Sequence, residues 1–142
     1  MTTTIKNILK LFLIMSFLTG CLFDSSSDRI IGKYKVLWID LPQNQMLVKE
    51  NKLHSSSSLA ILEPYVFAVG HNKNYIIAKQ HPTSGFEGGF EIHVDTTNYY
   101  IVDIAKEQDK VFGPLILKQF DSLRAKLKIE DLRFTQTYPD NY

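Results

Sequence analysis

The sequence predicts an α+β fold: an antiparallel sheet of about four to six strands with one C-terminal helix packed on a face. Short β-rich runs separated by turn residues occupy most of residues 33–104. A single convincing pattern of helical period follows at residues 117–127. The chain has 142 residues, a length typical of one small domain rather than two.

A signal for lipid attachment stands at the N terminus. Lys6 and Lys10 precede the apolar run Leu11–Phe17, as in the basic and apolar parts of a secretory signal peptide. Leu18–Cys21 follows, ends in the only cysteine of the chain, and is similar to a bacterial lipobox. We therefore expect cleavage before Cys21 and lipidation of this cysteine, with palmitate as an example of its chains.

The N-terminal motif divides the chain into three parts. Residues 1–20 are predicted to be a lipoprotein signal peptide, residues 21–29 the lipidated cysteine and a flexible tether, and residues 30–142 one α+β domain. An uncleaved anchor is the alternative, but the uncharged run is short for a membrane span, which needs about 20 apolar residues. A second alternative is an ordinary buried thiol at Cys21.

Charge and cysteine content exclude several classes of protein. Removal of Lys6 and Lys10 with the signal peptide takes the formal net charge from +1 to −1, so the domain has no basic footprint for nucleic acid. Acylation of Cys21 would leave no thiol for a disulfide, a nucleophile or a thiolate metal site. The domain must then be stabilised by packing alone.

The first part of the domain has the alternation of a strand. Tyr34, Val36 and Trp38 alternate with Lys33, Lys35 and Leu37, which predicts a strand near residues 33–38. A turn, a short second strand and a serine-rich loop are expected after it, at Leu41–Asn44, Met46–Lys49 and His54–Ser58.

A β-hairpin is predicted at the centre of the chain. Pro64–Val69 and Tyr75–Gln80 are β-rich, and Gly70–Asn74 between them has turn chemistry. The segments after this hairpin are predicted to be a loop, two strands and a polar turn, at Pro82–Gly89, Phe90–Asp95, Asn98–Ile104 and Ala105–Lys110.

The C-terminal part carries the predicted helix. Gly113–Pro114 breaks the chain ahead of Leu117–Leu127. The apolar residues of this segment fall on one stripe, which would dock on the sheet: Leu117, Phe120, Leu123 and Leu127. Leu132–Phe134 is predicted to add a short edge strand.

The histidines do not predict a metal site. The hairpin would place His71 and His81 at opposite ends, roughly 20 Å apart for seven residues of strand. His81 and His93 could approach if Phe90–Asp95 pairs with the second hairpin strand, but two histidines without a placed carboxylate make a poor zinc site.

Catalytic motifs are equally weak. Ser84–Gly85 lies in no Gly-x-Ser-x-Gly motif, and Gly85–Gly89 lacks the lysine and the following helix of a phosphate loop. Glu87, Glu91 and Asp95 are near one another in sequence, but their spacing indicates no carboxylate pair. The sequence therefore predicts no enzyme, no catalytic, cofactor-binding or metal-ligating residue, and no cofactor. Lipidation of Cys21 is its one assigned site.

Two longer stretches resemble a family of small bacterial lipoproteins whose domain is of unknown function. They are Phe67–Pro82 and Tyr99–Asp103, the second followed by Phe112–Leu115 and the helix with Phe120. The resemblance covers Gly32 to about Lys128 and implies a hairpin, a Tyr-Tyr-Ile strand and a Gly-Pro-Leu turn before a helix. It transfers no catalytic residue. Ile116 departs from the hydroxyl residue expected as the helix N-cap.

The function expected from the sequence is that of a membrane-anchored envelope lipoprotein with a non-enzymatic binding or interaction role. Its partners are the membrane, through the lipid on Cys21, and an envelope protein that the sequence does not identify. Leu22 follows the cysteine where aspartate would resemble an inner-membrane retention signal, so the outer membrane is expected. The alternatives are an inhibitor or immunity-type protein that blocks an enzyme, and a hydrolase.

Overall fold

The computed structural model of the chain describes residues 25–41, 43–51, 57–85 and 91–140. The predicted signal peptide and Cys21 lie outside these residues. Three later segments also lie outside them: Pro42 of the predicted turn, most of the serine-rich loop, and residues 86–90, which comprise the end of the glycine-rich loop and Phe90 of the next predicted strand.

The N-terminal half of the domain forms a four-stranded antiparallel sheet in the order β1-β2-β3-β4. Its strands are β1 (Ser25–Ile31), β2 (Tyr34–Ile39), β3 (Met46–Glu50) and β4 (Ser58–Leu62). Ser25 pairs with Ile39 at one end of the sheet, and Tyr34 pairs with Lys49 at the other.

The C-terminal half forms a five-stranded antiparallel sheet in the order β10-β9-β6-β5-β11. Its strands are β5 (Val66–His71), β6 (Tyr75–Gln80), β9 (Asn98–Asp103), β10 (Lys110–Leu115) and β11 (Gln136–Thr137). A separate two-stranded ribbon pairs β7 (Thr83–Ser84) with β8 (Glu91–Ile92). The helix α1 (Leu117–Leu127) follows β10.

Alternation along β6 and β9 creates two cores, one on each face of the five-stranded sheet. Ile76 and Val102 pack against the four-stranded sheet, in a cluster that contains Val36 and Leu47. Their chain neighbours point the other way and form the helix-side cluster: Ile77 and Ile101, with Phe120, Ile129 and Leu132. The domain is thus three layers, sheet on sheet on helix.

The helix is fixed by its apolar stripe and by its two ends. Phe120 is 1% exposed and its ring centroid lies 5.0 Å from that of Tyr99 in β9. At the N terminus the Ile116 amide donates to Gln119 Oε1. At the C terminus Lys128 adopts φ 57°, and the Arg124 guanidinium donates to the carbonyls of Ile129, Glu130 and Leu132. The Ile116 bond satisfies an amide that the helix N terminus leaves unpaired, and the Lys128 and Ile129 amides satisfy the carbonyls of Ala125 and Arg124 at the C terminus. The Arg124 bonds hold the segment that follows the helix.

Gly70 of β5 is required by a close backbone approach. A Cβ at this position would lie 1.9 Å from the carbonyl oxygen of Arg133, in the segment that crosses β5 after the helix. The same segment then pairs with β5 as β11, with Gln136 opposite Val69.

The two sheets share a common axis with two distinct ends. β1, β3, β5 and β9 all begin at what we call the Ser25 end, and finish at the Gly32 end, where β1 turns into β2. At the Ser25 end the Val66 amide donates to the Gln45 carbonyl, which joins β5 to the start of β3. At the Gly32 end the β9–β10 turn meets the four-stranded sheet.

The predicted fold class is confirmed: the chain forms antiparallel sheet with one C-terminal helix on a face. The hairpin of β5 and β6, strands β2, β3 and β9, and the bounds of α1 also agree with the prediction. The strands divide into two stacked sheets rather than one, which the sequence pattern did not indicate.

Several local predictions are wrong. Ser25–Arg29, predicted as flexible tether, pairs with β2, because a strand edge satisfies backbone groups whatever the side chains are. Gly113–Pro114 lies inside β10, at a register shift and with a cis peptide bond, and does not end the strand. Leu132–Phe134 is not a strand; β11 begins two residues later. Leu117, the first helical residue, is exposed, and Leu123 is half-buried.

Candidate functional site

The densest group of interacting charges lies at the Gly32 end, around Asp109 in the β9–β10 turn. Asp109 Oδ1 accepts a hydrogen bond from the Tyr34 hydroxyl. Asp109 Oδ2 forms an ion pair with Lys49 Nζ at 2.6 Å. The side chains of Asp109 and Lys49 are only 8% and 17% exposed. Asp109 therefore joins the two sheets through a largely desolvated ion pair.

The environment of Tyr34 keeps its hydroxyl protonated. Burial raises the pKa of the phenol, and the hydrogen bond and negative charge of Asp109 raise that pKa further. The Lys49 ammonium also lies 5.7 Å from the centroid of the Tyr34 ring. Tyr34 is thus held as a neutral hydrogen-bond donor, and with Asp109 and Lys49 it forms a clamp between the sheets.

An outer set of charges surrounds this clamp. Glu50 Oε1 lies 3.3 Å from Arg29 Nη2 and 3.5 Å from Lys35 Nζ. Arg29 is largely exposed, and its guanidinium also donates to the Gly32 carbonyl. Exposed pairs of this kind stabilise a fold only weakly. These pairs place the cationic groups of Arg29 and Lys35 at the Gly32 end, and Lys33 in the β1–β2 turn adds a third cation there.

A serine and a histidine meet in the β7–β8 ribbon. Ser84 Oγ lies 2.7 Å from His93 Nε2, which is the distance between a nucleophile and its base in a hydrolase. Ser84 in β7 is exposed and His93, directly after β8, is half-buried. The described residues place no carboxylate on the other nitrogen of His93. The sequence alone does not indicate this pair, because nine residues separate its members and neither lies in a known motif.

The other histidines have structural contacts. His81 is buried, stacks on Phe67 with ring centroids 4.3 Å apart, and its Nδ1 lies 2.9 Å from the Thr96 carbonyl oxygen. The His93 amide donates to the Pro82 carbonyl, so His81 and His93 lie on adjacent segments but their rings have different partners. His71 is the last residue of β5, at the Gly32 end, and His81 directly follows β6, at the Ser25 end. The two histidines therefore lie at opposite ends of the hairpin, as predicted.

Across residues 25–140, apart from the gaps given above, no three metal-binding side chains come together. The same part of the chain contains no helix long and apolar enough to cross a membrane. Cys21, the predicted lipidation site, lies outside the described residues, so its modification stays a prediction.

Fold and site define a small sheet-sandwich domain with a C-terminal helix and a charged clamp at one end. A family model described as a protein of unknown function (DUF3997) matches residues 31–138. The chain belongs to this family. A search of curated proteins and a search of solved structures each found no match.

Proposed function

We propose that the chain is a membrane-anchored envelope lipoprotein whose domain has a non-enzymatic binding role. The anchor is the lipid on Cys21, since Leu18–Cys21 has the order of residues that a lipoprotein signal requires. Several acyl chains on one cysteine would hold the protein firmly, because each buried methylene contributes about 0.8 kcal/mol. Leu22 after the cysteine favours the outer membrane.

The observation that supports a binding role is the position of the charged surface relative to the anchor. Cys21 precedes Ser25 by four residues, a span of at most about 14 Å. β1 then runs away from Ser25 for seven residues, or about 20 Å, to the Gly32 end. Arg29, Lys33 and Lys35 are therefore presented on the side of the domain far from the anchor, where a partner with surface carboxylates could bind them.

The first experiment tests the anchor. Cells expressing the full chain receive a labelled fatty acid, and the wild type is compared with Cys21→Ala. Label and membrane fractionation are expected for the wild type and are expected to be lost in Cys21→Ala. A variant that still incorporates the label would contradict the proposal.

The second experiment tests the binding surface. Cross-linked envelope partners of the full chain are compared among the wild type, Lys35→Glu and the matched control Lys126→Glu on the exposed face of α1. Capture is expected to fall for Lys35→Glu alone. Equal capture by both variants would exclude the Gly32 end. A captured enzyme that loses activity in the complex would make the domain an inhibitor or immunity-type protein.

One contact favours a hydrolase as the second candidate function, namely the 2.7 Å approach of Ser84 Oγ to His93 Nε2. A hydrolase would lose turnover of ester substrates in Ser84→Ala and in His93→Ala alike. Activity of the wild type that neither variant reduces would exclude this pair as its source.

A further inference from the structure

Exposed apolar side chains concentrate at the Ser25 end of the domain. Seven large apolar side chains are exposed in the described part of the chain. Five of them lie at this end: Ile39, Leu41, Val94, Ile116 and Leu117. Only Leu59 in β4 and Val111 in β10 lie toward the Gly32 end. Single exposed apolar residues need no explanation, but their accumulation at one end does.

One group of these exposed side chains lies at the β2–β3 turn. Asp40 adopts φ 68°, and the Asn44 amide donates to the Leu41 carbonyl, so the chain reverses around Leu41. Leu41 is 61% exposed and Ile39 beside it is also exposed. Leu41 thus stands beyond the last register pair of β1 and β2, which is Ser25 with Ile39.

A second exposed pair stands at the start of the helix. Leu115 of β10 pairs with Tyr99 near the beginning of β9, so the β10–α1 corner is also at the Ser25 end. Ile116 is 63% exposed and Leu117 follows it. Both sheets therefore contribute apolar side chains to the same end of the sandwich.

The position of the anchor indicates what covers this surface. Ser25, the first residue of β1, pairs with Ile39, and Cys21 is four residues earlier in the chain. That length keeps the Cα atom of Cys21 within about 14 Å of the Cα atom of Ser25, which lies at the apolar end. The charged residues around Asp109 and Glu50 are at the opposite end. The domain thus exposes most of its large apolar side chains toward the anchor and carries the ion pairs of Asp109 and Glu50 away from it.

We propose that the Ser25 end rests on the lipid bilayer, with Leu41, Ile39, Ile116 and Leu117 in the headgroup region. The inference depends on the proposed lipidation of Cys21. Positive charge does not drive the contact, because the charged side chains exposed among these apolar residues have both signs and include Asp40, Glu63, Asp95 and Lys118. The docking is apolar and therefore independent of anionic lipid, unlike that of polybasic segments.

The test compares two leucines that are equally exposed at opposite ends of the domain. Leu41 and Leu59 are 61% and 63% exposed. Each is changed to cysteine in the full chain, labelled with an environment-sensitive fluorophore, and incorporated into phosphatidylcholine vesicles. Cys21 does not react with the label when it is acylated, and intact mass measures that acylation directly.

The label at Leu41→Cys is expected to shift its emission to the blue and to react with an aqueous quencher about fivefold more slowly than the label at Leu59→Cys, because the headgroup layer excludes the quencher. A second variant, Ile116→Cys, is expected to behave like Leu41→Cys. Circular dichroism shows that each labelled chain is folded.

Each other outcome overturns a definite part of the proposal. An acylated chain with equal quenching at Leu41→Cys and Leu59→Cys leaves the anchor intact and excludes docking of this end. Protection that requires anionic lipid contradicts an apolar contact. Protection that appears only when envelope protein is added assigns the surface to a protein partner. A mass without acyl chains refutes the anchor and the docking together.

Discussion

Lys49 Nζ lies 2.6 Å from Asp109 Oδ2, across the boundary between the four-stranded sheet and the β9–β10 turn. Sixty residues separate the two in sequence. The pair is largely desolvated, and Tyr34 shares the same carboxylate. The Gly32 end is therefore closed by a specific charged contact as well as by apolar packing.

Asp109→Asn is expected to lower the free energy of unfolding by about 3 kcal/mol, because it leaves the Lys49 ammonium buried without its counter-charge. Asparagine still offers an oxygen to the Tyr34 hydroxyl, so the change isolates the charge. Urea titration measures the effect. Glu107→Gln, exposed in the same turn, should change stability by less than about 0.5 kcal/mol. Equal effects of the two would show that the ion pair contributes nothing.

Tyr34 predicts a loss of stability at alkaline pH. Burial, with Asp109, raises its pKa above the ordinary value of 10.0, so the folded protein keeps a proton that the unfolded chain releases. This contribution is fully present below pH 10 and is lost as pH rises toward the folded-state pKa. Each such group adds a slope of about 1.4 kcal/mol per pH unit.

Tyr34→Phe should remove that part of the slope when the free energy of unfolding is measured at several pH values above 10. Tyr65, Tyr100 and Tyr138, whose pKa values are also raised by burial, would contribute to the remaining slope. A slope unchanged in Tyr34→Phe would mean that the phenol of Tyr34 titrates alike in the folded and unfolded chains.

Phe120→Ala should cost about 3–5 kcal/mol of stability, because the ring is buried between α1 and the five-stranded sheet. It contacts Tyr99 and stacks with Phe134, whose centroid lies 6.0 Å away. Lys118→Ala, on the exposed face of the same helix, should change stability by less than about 0.5 kcal/mol. A denaturant titration giving similar values for both would show that α1 does not pack as described.

The pairing of β1 with β2 determines how far the chain can be shortened from its N terminus without a loss of stability. A chain starting at Ser25 should fold, whereas one starting at Ile30 should lose about 2–4 kcal/mol, since several backbone hydrogen bonds to β2 disappear. Thermal melts of the two chains compare them. Ser27→Ala in the longer chain is the control and should be neutral, because only the backbone of this residue pairs. Identical melts would show that β1 adds nothing.

The elements that could be predicted from the sequence are those rich in β-formers around a turn or those whose apolar side chains recur with the period of a helix. β5 and β6 are rich in β-formers around a turn, and α1 has an apolar stripe centred on Phe120. β1 was missed because its serines have no apolar alternation and its pairing depends only on the backbone. β10 was missed because it contains Gly113–Pro114, which usually ends a strand.

The candidate site was largely hidden from the sequence. Lys49 and Asp109 meet because the two sheets stack, and Ser84 and His93 meet because β7 pairs with β8. Hydrophobic period specifies neither the stacking nor the pairing partners. The histidine prediction succeeded in placing His71 and His81 apart because it used distances within one hairpin. The apolar end could not be inferred either, since Leu41 and Ile116 are 75 residues apart in the chain.

The pairing of β1 with β2 also determines how the domain would bear mechanical load. β1 runs along the axis between the two ends, and six register pairs join it to β2. A pull on the chain ahead of Ser25, directed along that axis, loads these pairs in shear, so that they resist together. The same pull directed sideways would open them one at a time, starting from Ser25 with Ile39. Under the proposed arrangement, tension between a lipid on Cys21 and a partner bound at the Gly32 end would act along the axis, the direction in which this edge strand is strongest.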